Sequence, residues 1–89
     1  MDTALVIEVS NDRLALDRDL KGRIYARARV PEYWIANLRE DCVERYTGPA
    51  GAGAEASYQS RTIFLRGDRV PLSVGGVDLD PVSVSDILP

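Results

Sequence analysis

Ala4-Leu5-Val6-Ile7-Glu8-Val9 is a nearly unbroken apolar run, rich in Val and Ile, with one acid inside it. It does not alternate, and a run of that kind suits a strand covered on both faces. Ser10-Asn11-Asp12 then breaks the pattern with short polar side chains able to accept the first free amides of a helix. Beyond the break, Leu16, Leu20, Ile24 and Ala28 recur every four residues, which places them on one apolar helix stripe. Asp17, Lys21 and Tyr25 form the adjoining stripe, one position on. Pro31 predicts that the helix ends before it, because the residue preceding proline disfavours the helical conformation.

After this strand and helix the chain reads as β-structure. Glu32 to Leu38 carries Tyr33, Trp34 and Ile35, all good strand formers. With Arg39-Glu40-Asp41 as the turn and Cys42 to Thr47 as the return, it predicts a hairpin. Gly48 to Ala56 is rich in Gly, Ala and Pro and predicts a mobile loop. Tyr58 to Leu65 predicts another strand and Arg66-Gly67-Asp68-Arg69 a turn. Val70-Pro71-Leu72 is a short extended piece, confined by its proline to an edge. Gly75-Gly76 breaks the chain again, Val77 to Leu79 is a brief strand, and Ser83 to Leu88 closes with a single helical turn over the sheet. The expected fold is α/β of the α+β kind. One central helix packs on a mixed or antiparallel sheet of four to six short strands, within a single domain over 1–89. The layout reads as the second half of a larger domain, since the opening strand wants neighbours and cover that little of the chain supplies.

Composition narrows the function. The 89 residues carry a net charge of −3, which argues against binding nucleic acid by bulk charge alone. No histidine is present, so His-based triads and the common zinc sites are excluded. The single cysteine, Cys42, cannot close an internal disulfide and has no histidine to activate it. No apolar run reaches the roughly 18–20 residues of a membrane span. The start lacks the basic segment of a signal peptide, and a cytoplasmic location is the expectation. Lys21 is the only lysine; the other ten basic residues are arginine. Lysine is a compact charge whose pKa shifts on burial, whereas arginine is a fixed planar fork. Compositional drift explains a lone lysine better than chemistry does when the lysine is taken by itself. Glu8 in an apolar strand either pairs with a basic residue or faces solvent, or else holds a metal, because an unpaired buried carboxylate is costly.

Taken together, Leu5-Val6-Ile7-Glu8-Val9-Ser10, Asp17-Arg18, Lys21, Tyr25-Ala26-Arg27-Ala28 and Val30-Pro31-Glu32-Tyr33-Trp34-Ile35 resemble the Uma-two family of the PD-(D/E)xK nuclease superfamily. The resemblance runs on to Val84-Ser85-Asp86-Ile87-Leu88, while covering only the C-terminal half of the family's usual domain. It implies a restriction-endonuclease-like half-domain and a DNA endonuclease that uses Mg²⁺ or Mn²⁺. It implies Glu8 as the metal-binding acid. Ser10 stands where the superfamily's lysine usually lies, and Lys21 takes that lysine's place on the helix. Asp17 is then positioned to hold Lys21, with Tyr25 and Ser10 as candidate phosphate contacts. The family's other acid lies upstream, and Asp2 is too near Glu8 in sequence to come from a separate strand. The resemblance therefore implies a truncated chain, inactive unless a second chain or a homodimer supplies the acid. The alternative is a non-catalytic remnant acting as a small binding or oligomerising module. Arg29 stands where the family has a glycine. In both readings the free flank of the first strand predicts self-association, most simply as a homodimer.

Overall fold

The computed structural model describes residues 4–89. Asp2 lies outside them. The opening run is strand β1 (Leu5–Ser10), followed by helix α1 (14–27) and strands β2 (Glu32–Asn37), β3 (Cys42–Ala50) and β4 (Ser57–Leu65). A second hairpin, β5 (Arg69–Val74) and β6 (Val77–Ser83), leads into the terminal turn α2 (Val84–Ile87). The main sheet has the order β1-β2-β3-β4. β1 and β2 are parallel, which requires the crossover that α1 provides, and the remaining pairs are antiparallel. This is the expected α+β architecture, with one central helix, a four-stranded sheet and a two-stranded one.

Register decides what faces what. Glu8 lies opposite Ile35, and Ile35 opposite Glu44, so these three share a face with Val6, Tyr33 and Tyr46. That face lies under α1. All four tyrosines of the chain gather there, with Tyr25 of the helix 5.0 Å from Tyr33, centroid to centroid, and Tyr33 5.9 Å from Tyr46. The opposite face carries Trp34, Ala36 and Val43, packed against Val70 of β5 and Val84 and Leu88 around α2. Trp34 and Tyr33 are thus core side chains, one on each face.

Cover on that second face reaches Leu5 at the start of β1 and stops there. Ile7 is 46 % and Val9 65 % exposed, so β1 is a half-covered edge strand rather than the doubly covered one its apolar run suggests. The reason is topological. Among the described residues only β2 pairs with β1, and the β5–β6 hairpin sits over β2 and β3.

The helix also differs from its periodicity. Asp17–Lys21 is a π-helical segment between the α-helical turns Leu14–Leu16 and Gly22–Arg27. A π-turn carries an extra residue, which a 3.6-residue rule has no means of anticipating. The Tyr33 hydroxyl supports it by donating to the Asp17 carbonyl at 3.1 Å. The packing face is Leu14, Asp17, Gly22 and Ala26, while Leu16, Leu20 and Ile24 form their stripe on the outside. The polar break does not cap the helix either. Arg13 occupies the cap position, and its donor-only side chain cannot accept an amide.

Other segments depart from the sequence reading in length. Gly48 to Ala56 is not a loop throughout: β3 continues to Ala50 because Pro49 and Ala50 pair with Tyr58 and Ser57, and backbone pairing needs no large side chains. Likewise β5 and β6 are longer than expected, with Pro71 placed at the irregularity between Val70 and Leu72 where its missing N–H does least harm. Gly75 and Gly76, with φ of 60° and 81°, make the tight turn of this hairpin, which requires positive φ at both positions. Among the described residues no helix is long and apolar enough to cross a membrane.

Candidate functional site

Glu8 points from the middle of β1 toward α1, where two side chains of the helix meet it. The Tyr25 hydroxyl donates to Glu8 Oε1 at 2.7 Å, and the Lys21 ammonium lies 3.4 Å from Glu8 Oε2. The same ammonium lies 3.4 Å from Asp17 Oδ1. Lys21 therefore stands between two carboxylates, one from the strand and one from its own helix. The helix positions all three of its contributors because Asp17, Lys21 and Tyr25 are spaced by four residues across the π segment and the turn after it.

Electrostatics fix the protonation states. Desolvation alone would lower the Lys21 pKa, but the charges of Asp17 and Glu8 outweigh it and hold it above the ordinary lysine value. Lys21 is therefore an ammonium through the neutral range and cannot act there as a general base. Tyr25 is raised by its hydrogen bond to Glu8, and next by burial, so it stays a donor.

The members differ in access. The Glu8 side chain is 27 % exposed and Lys21 is half-open beside it. Asp17 is 3 % exposed, and its Oδ1 makes no hydrogen bond of good geometry besides the Lys21 ion pair. Ser10, two residues beyond Glu8 on the same face, is buried and its Oγ has no partner among the described residues. A substrate oxygen would reach that hydroxyl only if the end of β1 opened. Tyr25 already donates its hydroxyl to Glu8.

A hard divalent ion takes oxygen ligands and keeps several waters. Glu8 is of that donor type and open on one side. Asp17 is closed off and turned to Lys21. No group of three or more metal-ligating side chains stands together among the described residues. The donor set present thus fits one carboxylate of an ion site and no more.

A second polar centre was not visible in the sequence. Glu44, fully buried in β3 on the same face as Glu8, accepts from Arg18 Nε at 2.9 Å and from Arg18 Nη2. It also accepts from Asn37 Nδ2 at 2.8 Å and from the Tyr46 hydroxyl at 2.6 Å. Arg61 stands 3.7 Å away. Burial pushes Glu44 up, but the Arg18, Tyr46 and Asn37 hydrogen bonds more than offset it and leave the carboxyl below its usual range. Glu44 lies in a strand with the weakest of alternating patterns, and only its register opposite Ile35 reveals that it faces the helix. The network anchors α1 through Arg18, on the opposite flank from Lys21. Cys42, buried beside it, has its thiol pKa pushed up chiefly by burial and is no nucleophile.

A family model described as putative restriction endonuclease matches residues 2–81 of the 89. The chain belongs to the Uma-two family. No curated protein and no solved structure matches it. The family's description points to nuclease chemistry, and the fold is of the restriction-endonuclease-like kind. Arg29 adopts the left-handed conformation, with φ of 59°. The Val30 amide reaches back to the Tyr25 carbonyl and the Arg29 amide to that of Ala26, the double closure of a Schellman motif.

Proposed function

We propose that this chain carries one half of the active site of a metal-dependent DNA endonuclease. The observation that carries the reading is the half-open Glu8 carboxylate held between the Lys21 ammonium and the Tyr25 hydroxyl. Glu8 is the carboxylate that would hold Mg²⁺ or Mn²⁺, an ion that polarises a scissile phosphate and makes water a stronger nucleophile. Tyr25 fixes the direction of Glu8. Lys21, charged through the neutral range, stabilises the negative charge that grows on the phosphate oxygens in the transition state. Asp17 keeps Lys21 protonated and in place, a positioning role suited to its burial. The remaining acid comes from a second chain.

Nicking of supercoiled plasmid tests this. The wild-type chain is expected to nick in Mg²⁺ or Mn²⁺ and to stop with chelator, and Glu8→Gln and Lys21→Met are expected to abolish the reaction while remaining folded. Nicking that survives both substitutions would overturn the assignment. A second reading, a nuclease-derived module that binds without cleaving, is favoured by the single accessible carboxylate. It gains if folded wild type never nicks.

A further inference from the structure

We propose that two copies of this chain pair through the free edges of β1, antiparallel about a two-fold axis at Ile7, and that this pairing brings the two Glu8 side chains together. Three observations lead to it. First, β1 has a neighbour on one side only among the described residues, and the strand bears no lysine or proline to guard the other side.

Second, apolar side chains lie exposed on that strand and on the helix above it. Ile7 and Val9 are exposed on one face of the sheet. On the other face Lys21 and Tyr25 reach Glu8 of β1, while Arg18 reaches Glu44 two strands away. The Leu16, Leu20 and Ile24 stripe is exposed on the outside of the helix, on the Lys21 side and away from Arg18.

Third, the backbone dictates the register. The Ser10 carbonyl accepts from the Leu38 amide at 2.9 Å and so points toward β2. Alternation then turns Val6 and Glu8 toward β2 as well, and directs both N–H and C=O of Leu5, Ile7 and Val9 to the free edge. A two-fold axis can then pass between hydrogen-bonded partners, beside one of these odd-numbered residues, or between non-hydrogen-bonded ones, beside Val6 or Glu8. Ile7 gives the longest overlap, pairing Leu5 with the second copy's Val9 and Ile7 with itself, every pair exchanging two hydrogen bonds. It sets Glu8 opposite the second copy's Val6, whereas an axis at Glu8 would oppose like charges. The two Glu8 residues become diagonal neighbours about 7–8 Å apart. At that separation two carboxylates can converge on one divalent ion. This last step rests on the nuclease reading, but the pairing does not.

Sedimentation velocity at tens of micromolar is expected to show a dimer, and Ile7→Lys, which opposes two ammonium groups at the axis, is expected to abolish it. Cysteine crosslinking reads the register without relying on that variant's fold. Ile7→Cys puts two Cα atoms about 5.5 Å apart, within disulfide reach. Oxidation with copper phenanthroline is expected to link most of it covalently, while Val9→Cys and wild type, whose Cys42 is buried, stay unlinked. A wild-type monomer, or Val9→Cys linking as fast as Ile7→Cys, would overturn the proposal. A crosslinked dimer that never nicks would support the pairing and count against the shared ion.

Discussion

Arg18→Ala examines how the helix is held over the sheet. Arg18 donates to both Glu44 carboxylate oxygens through Nε and Nη2 and is its nearest positive charge, and Glu44 is fully buried. Breaking a buried ion pair from one side costs about 3–5 kcal/mol. Two features lower the figure here: the Arg18 side chain is 29 % exposed, and Glu44 keeps Asn37 and Tyr46 as donors. A loss of about 2–3 kcal/mol follows, or a fall in Tm of roughly 8–24 °C for a domain of this size. Urea unfolding at pH 7 measures it. The pH dependence gives a second reading. Glu44's carboxyl lies below 4.5 when folded, so its contribution is complete above that value and is lost as the pH falls through the lower folded pKa. The gap between wild type and Arg18→Ala should therefore shrink below about pH 4.5. A loss under about 0.5 kcal/mol at pH 7, or a gap that does not change with pH, would refute the network as the helix anchor.

Other substitutions probe the rest of the frame. Tyr25→Phe removes the donor to Glu8 Oε1 and should cost about 1 kcal/mol by urea unfolding, with nicking reduced but not abolished. Arg29→Gly relieves a left-handed residue and should stabilise by up to about 1 kcal/mol in thermal melts, whereas Arg29→Ala should not. Gly51→Ala should destabilise by about 1–3 kcal/mol, since a Cβ there would lie 2.5 Å from the Glu55 carbonyl oxygen; an unchanged melting curve would contradict the fold of that loop.

Much of this molecule was legible in the chain itself. The apolar run around Glu8, the spacing of Asp17, Lys21 and Tyr25, and the hairpin at Trp34 come from short-range rules, and the structure realises each of them. What escaped depends on long-range facts. The π segment is supported by a tyrosine 16 residues away, and no local periodicity encodes it. Glu44 owes its role to strand register and to an arginine 26 residues distant, so it passed for an ordinary strand glutamate. The apolar helix stripe was seen, but not that it faces outward, because a stripe does not say which of two sides has cover. Gly48 to Ala50 looked too poor in side chains for structure, yet β4 supplied a partner to its backbone.

The central claim is that Glu8 is a carboxylate held ready for a divalent ion. Titration of Mn²⁺ with the 89-residue chain, followed by the loss of the free-ion paramagnetic resonance signal, tests it without requiring cleavage. Binding is expected in wild type and in Glu44→Gln, whose carboxylate is buried and fully engaged, and is expected to vanish in Glu8→Gln. Equal binding by Glu8→Gln, or none by a folded wild type, would contradict it.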